Sequence, residues 1–222
     1  MDKKILASIL IIAVASALVG AGTVSYFSDT ETSKGNTFTV AIGQTDLKIE
    51  DPSGSGYWYD GIGPRWTTLS DMKPGYTTSG SVNLKNFGGP GEHIEITCNY
   101  TVIEEEPQTE SDTDSNTNEH PDHMAQQMII TECTYSIDGY IINCLTGKDN
   151  IGGSSNDWKI EDQDSDGKIT LYDLKNDPLT NLPPCNTAIA TFYMALKFSE
   201  DANNDFQGDT LDLTMIFSII EY

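Results

Sequence analysis

An all-β fold, a two-sheet sandwich of jelly-roll type, is what this 222-residue sequence predicts. Three observations carry the prediction. Apolar residues recur at every second position through several segments, the period of a strand with one buried face. No segment after the N-terminal apolar run repeats at the helical period. Turn residues, Lys73-Pro74-Gly75 and Asp138-Gly139 among them, punctuate the alternation. About eight such strands fit a single sandwich, and a chain of this length holds one core of that kind.

The N-terminus comes first. Asp2-Lys3-Lys4 leads into a run over 5–24 that carries no charge and ends among small residues (Gly20, Ala21, Gly22, Ser25). A charged start, an apolar stretch and a small-residue end make 1–25 a secretory signal peptide with a leader helix. The run is also long enough to span a bilayer, so a retained membrane anchor is the alternative. Cleavage would leave Tyr26 as the first mature residue and confine membrane contact to the leader.

The strands follow in order. Phe38, Val40 and Ile42, then Leu47 and Ile49, form a first strand region; 79–87, with Val82 and Leu84, follows the Lys73-Pro74-Gly75 turn. Ile94, Ile96, Cys98, Tyr100 and Val102 alternate with polar partners. In TECTYSIDGYIINCL, Asp138-Gly139 signals a hairpin, and counting outward pairs Ile137 with Tyr140, Tyr135 with Ile142, and Cys133 with Cys144. Ala188 to Phe198 and Leu211 to Ile219 are two further alternating runs. Two loops interrupt the pattern. Residues 104–123 (EEEPQTESDTDSNTNEHPDH) are acidic with no apolar residue but Pro, which predicts a solvated loop. Residues 53–66 (SGSGYWYDGIGPRW) read as an aromatic, Gly-rich loop folded over a sheet edge, with an interaction surface as the alternative.

Charge excludes one class of partner. Twelve Lys and Arg face 34 Asp and Glu, a net charge of −22, which repels nucleic acid phosphates. Divalent cations suit it better. Asp162-Gln-Asp164-Ser-Asp166-Gly167-Lys168-Ile169-Thr170-Leu-Tyr-Asp173 places carboxylates at positions one, three and five of a calcium loop, with Gly at six for the sharp turn. Lys168 would offer its carbonyl, Thr170 would act through a water, and Asp173 stands at position twelve, where a sensor loop has Glu and a dockerin loop has Asp. The expected cofactor is calcium, bound over 162–173; an acidic turn without metal is the alternative.

Other chemistry is thinner. Cys98, Cys133, Cys144 and Cys185 lack CxxC spacing, so disulfides in an exported chain fit them better than zinc. The hairpin register favours Cys133 with Cys144, leaving Cys98 with Cys185; reduced core cysteines are the alternative. His120 and His123, beside Glu119 and Asp122, have no HExxH framework and read as solvated loop residues, and no GxSxG elbow is present. Catalytic residues are therefore not assigned. Asn99-Tyr100-Thr101 is a single glycosylation sequon in a strand.

Several short motifs, taken in order, resemble one family. The leader end with Tyr26-Phe27-Ser28-Asp29, then Asn36-Thr37-Phe38, Gly43 and Asp46-Leu47, is similar to the leader junction and first mature segment of the TasA/camelysin family of secreted biofilm-fibre proteins and related archaeal bundling pilins. Met72-Lys73-Pro74-Gly75 with Asn86-Phe87-Gly88, and Asp205-Phe206-Gln207-Gly208-Asp209 before the last strand, resemble further family turns, with Tyr76 replacing an acid in the first. The resemblance implies a secreted subunit at the cell surface that polymerises head to tail with identical or related subunits by donating a strand. Residues 26–37 would be the donor arm, anchored by Tyr26, Phe27 and Phe38, ahead of a sandwich domain over 38–222. Some members carry a metalloprotease label that no motif here matches. A membrane-anchored surface binding domain and a secreted metallopeptidase are the alternative functions.

Overall fold

The structure, a computed structural model, describes residues 28–32, 45–53, 56–66, 73–103, 120–202, 206 and 209–221. Ten strands occur among them: β1 (Ser28–Thr32), β2 (Leu47–Glu50), β3 (Thr77–Asn86), β4 (His93–Ile103), β5 (Met128–Ile137), β6 (Tyr140–Asn143), β7 (Lys148–Asp149), β8 (Leu179–Leu182), β9 (Ala190–Phe198) and β10 (Thr210–Ile220). One sheet has the order β1-β10-β4-β8 and the other β2-β3-β9-β5-β6-β7. Every recorded strand pair is antiparallel, so the all-β reading holds. The leader over 1–25 and the stretch with Phe38, Val40 and Ile42 lie outside the described residues.

Alternation explains where the core sits. Ile94, Ile96, Cys98, Tyr100 and Val102 of β4 are buried, as are Leu211, Met215, Phe217 and Ile219 of β10, and Phe192, Met194 and Leu196 of β9. Between the sheets, Phe192 meets Phe217 edge to face at 5.5 Å. Each such buried side chain contributes about 1.5–3 kcal/mol relative to exposure. Tyr135 adds a polar tie, its hydroxyl donating to the Pro183 carbonyl at 2.6 Å.

The predicted hairpin forms in the predicted register, Ile137 across from Tyr140 and Tyr135 across from Ile142. Asp138 and Gly139 supply the two positive φ angles, 49° and 84°, that its turn demands. Its inward face is buried except at Tyr140, which stands exposed beside the turn. Lys73-Pro74-Gly75-Tyr76 also forms as a turn, with the Tyr76 amide donating to the Lys73 carbonyl and Gly75 at φ 83°.

Two short helices accompany the strands. The end of the acidic loop is helix α1 (Pro121–Gln126), which buries Met124 and Ala125; residues 104–119 lie outside the described set. Met124 and Ala125 are the first apolar residues after that loop, and packing of such residues is what supports a helix this short. The second, α2 (Leu171–Asn176), buries Leu171 and Leu174. It lies against β4, where the Cys98 thiol donates to the Leu171 carbonyl at 3.5 Å.

The aromatic loop takes the edge-covering arrangement. Tyr59 exchanges both backbone hydrogen bonds with Ile49 of β2. Trp66 turns inward, donating to the Met194 carbonyl at 2.9 Å. Gly80 permits this approach: a Cβ there would stand 2.8 Å from the Arg65 carbonyl oxygen.

Candidate assembly edge and metal loop

A strand edge leaves backbone donors and acceptors open to any passing strand, so how each edge is covered matters. Beside β2 runs the Tyr59 segment just described. At the far end of that sheet β7 is bridged by Ser154 and reaches only Ile142 and Asn143 of β6, and Asn150 covers the rest of β6: its Oδ1 accepts from the Ile141 amide at 3.0 Å and its Nδ2 donates to the Gly139 carbonyl at 3.0 Å. The edge of β8 is held by a 3-10 turn, Asn156–Trp158, whose Trp158 indole donates to the Asn181 carbonyl at 2.9 Å. Each cover comes from chain close in space and sequence to the sheet's own connections.

The fourth edge is different. β1, drawn from the N-terminal arm, lies along β10 from Ser28 opposite Ile220 to Thr32 opposite Ile216. It accompanies only this end of β10, which continues back to Thr210. Opposed residues share a face in an antiparallel pair, so positions 29 and 31 fall on the face of Ile219 and Phe217, both fully buried. Of the proposed anchors, Tyr26, Phe27 and Phe38 lie outside the described residues.

The metal loop occupies the connection between β7 and α2. Asp162, Asp164 and Asp166 bring one carboxylate oxygen each to within 4.8 Å of one another. Backbone donors hold them: Gly167 N–H gives to Asp162 at 2.9 Å and Lys168 N–H to Asp166 at 2.8 Å. Gly167, at φ 82°, makes the turn the motif requires. The Gly167 amide, foremost, holds the Asp162 carboxyl below its ordinary pKa. Asp164 is pushed up, first by desolvation and then by its neighbours Asp166 and Asp173. Gln126 of α1 donates to Asp164 at 2.9 Å.

The rest of the loop anchors it. Ile169, at position eight, accepts from the Ile130 amide of β5 at 2.7 Å, and Thr170 bridges to Ile129. Thr170 and Asp173 form a reciprocal cap on α2: Asp173 accepts from the Thr170 amide at 2.7 Å and hydroxyl at 2.8 Å, and from the Gln163 amide at 2.8 Å. The structure thus gathers three of the four expected carboxylates, while Thr170 and Asp173, both fully buried, close the loop behind them. This donor set, hard oxygens on a tight turn, suits calcium.

All four cysteines are buried thiols. Cys133 and Cys144 are neighbours, the Cys144 amide donating to the Cys133 carbonyl at 2.8 Å. Cys98 lies on β4 beside α2, its thiol donating to the Leu171 carbonyl, and Cys185 follows β8, its carbonyl accepting from the Asn86 amide at 3.1 Å. Burial pushes the Cys98 thiol up to about 12 and the Cys185 thiol to about 11, and also raises Cys133. Such thiols are poor nucleophiles.

Asn99 is exposed on β4, and its side chain accepts from the Tyr100 amide at 2.9 Å. His120 and His123 stack at 5.3 Å at the start of α1. His93 lies apart on β4, 3.4 Å from Glu95. Among the described residues, Asp162, Asp164 and Asp166 are the one group of three or more His, Cys, Asp or Glu side chains spaced to hold a metal ion. No helix among them is long and apolar enough to cross a membrane.

The sequence pattern missed several structural residues. Asn86, in the turn motif after β3, is buried and gathers the Asp46 and Gly88 amides on its Oδ1 while donating to Asn186. Its Asn-x-Gly setting was the only signal. Asp122 joins the Tyr100 hydroxyl at 2.7 Å to Lys175 at 3.3 Å, and nothing in its acidic surroundings marks that role.

No curated protein matches the chain. The family described as camelysin metallo-endopeptidase matches residues 1–134, a span that runs from the N-terminal run through the arm, β1 to β4, and into β5. With that match over more than half of its length, the chain belongs to the camelysin family, the group its leader junction and turn motifs indicated.

Proposed function

We propose that this chain is an exported structural subunit that builds an extracellular filament by strand exchange, arm 26–37 leaving its own β10 for the β10 of a neighbour. One observation carries the reading: three sheet edges are covered by fixed local chain, whereas β10 is covered by a five-residue polar strand from the N-terminal arm. Backbone hydrogen bonds lost on leaving are regained on the next subunit, so exchange has little net cost in bonding. A head-to-tail contact of this kind does not close and therefore extends. Family membership supports export.

Calcium would be held by Asp162, Asp164 and Asp166 with the Lys168 carbonyl, neutralising three crowded carboxylates where α2 and β5 meet. Cys133 and Cys144, neighbours across the β5–β6 hairpin, would join as a disulfide outside the cell. The family's peptidase description would require a zinc-dependent hydrolytic activity, and no described histidine pair has the third ligand such a centre uses.

Deleting 26–37 tests the proposal. Electron microscopy of exported protein should show filaments from the parent chain and none from the deletion; filaments of normal length from the deletion would refute it.

A further inference from the structure

Exposed apolar side chains are concentrated at one end of the sandwich. Across the six-stranded sheet, Ile49 stands opposite Leu84, Leu84 opposite Ala190, Ala190 opposite Ile137 and Ile137 opposite Tyr140, with Tyr59 bridged to Ile49. Along and just past this row lie seven of the nine exposed large apolar side chains among the described residues. Tyr57 and Tyr59 flank β2, Phe87 follows β3 and Ile189 precedes β9. Tyr140, Ile141 and Ile151 surround the β5–β6 turn, where Ile151 is 69% exposed. The other two, Tyr76 and Ile103, stand at the far end, Tyr76 bonded to Phe198 and Ile103 opposite Thr210. Apolar surface gathered in this way marks a contact site.

The arm joins the sandwich at the same end. Leu47, where β2 begins, lies opposite Asn86. Asn86 donates to Asn186 at 2.9 Å, Asn186 donates in turn to the Gly91 carbonyl at 2.7 Å, and the Glu92 amide donates to the Ile220 carbonyl at 2.8 Å. Ile220 of β10 is therefore at this end too, and the backbone of β1 runs from Ser28 opposite Ile220 to Thr32 opposite Ile216, heading for the far end. A strand donated to a neighbour in that direction leaves the acceptor toward its far end. The chain from Thr32 to Thr45, at most about 45 Å when extended, then leads back to the donor's own apolar end.

Exchange alone trades equal backbone bonds and favours neither the closed subunit nor the filament. Apolar surface buried between subunits supplies the preference. We propose that the apolar end is a docking face whose occupant is a second copy of this chain, the copy that accepts its arm, met at that copy's far end around Ile103. This rests on the strand-exchange reading and identifies what drives it.

Ile103, Ile141 and Ile151 are all exposed, so exchanging them for Thr, which keeps the β-branch, should leave the melting temperature of the subunit little changed. Filament yield, measured by sedimentation of exported protein, should fall about tenfold in I141T/I151T and in I103T. Tyr57→Ser, in the loop beside β2, repeats the first test away from the hairpin and should lower the yield in the same direction. A yield equal to the parent's in either apolar-end variant overturns the docking face, and a normal yield in I103T overturns its seat at the far end. Failure of strand exchange itself shows separately, as filaments that survive deletion of 26–37.

Discussion

Asp162 and Asp173 serve the same loop in different ways. Asp162 faces its two neighbouring carboxylates, while Asp173 caps α2 and ties down the Gln163 amide. Asp162→Asn should abolish the rise in melting temperature produced by calcium and leave the chelated protein little changed. Asp173→Ala should cost about 2 kcal/mol with or without calcium, because it strips a buried cap; differential scanning calorimetry in calcium and in chelator separates the two. An Asp162 carboxyl held low supports the loop above the ordinary carboxylate range and loses that support as pH falls below it. Asp164, pushed up, is instead relieved by protonation, so the calcium-dependent rise should shrink as pH falls through that range. The three clustered carboxylates were legible because their spacing within one turn fixes their convergence. The cap was not, since an acid at position twelve looks the same as ligand or cap. Cys98 and Cys185 were paired by elimination, which carries no distance.

Hairpin β5–β6 was legible down to its register because Asp138-Gly139 is a local signal that acts before any distant contact forms. β1 was not: its residues are polar, and its partner β10 lies at the other end of the chain. The short strand β8 and the helices α1 and α2 owe their form to packing rather than to their own periodicity. Asn150 was equally silent in the sequence, one Asn in a turn-rich stretch. Its side chain now stands as the stop on β6, so Asn150→Ala should lower stability by about 1 kcal/mol and expose a strand edge beside Ile141. Light scattering during incubation near the melting temperature should show faster aggregation than the parent. Equal rates would mean that β7 and its turn suffice to guard that edge.

A subunit with a net charge of −22 repels its own kind, and at physiological ionic strength that repulsion reaches about 8 Å from the surface. Filament yield should rise with sodium chloride, and rise further with calcium at matched ionic strength; sedimentation over a salt series measures both. Equal yields at equal ionic strength would assign calcium a screening role only. Composition sets the sign of this expected effect, and on the proposed strand exchange the covers at the sheet edges would set its direction. Those covers set the subunit's valence. With Tyr59, Asn150 and Trp158 each closing one edge, a unit that gives one strand and takes one has two reactive ends. Polymers of such units grow as unbranched lines, so any thickening into bundles must come from side-to-side contact between finished filaments and not from a third strand site.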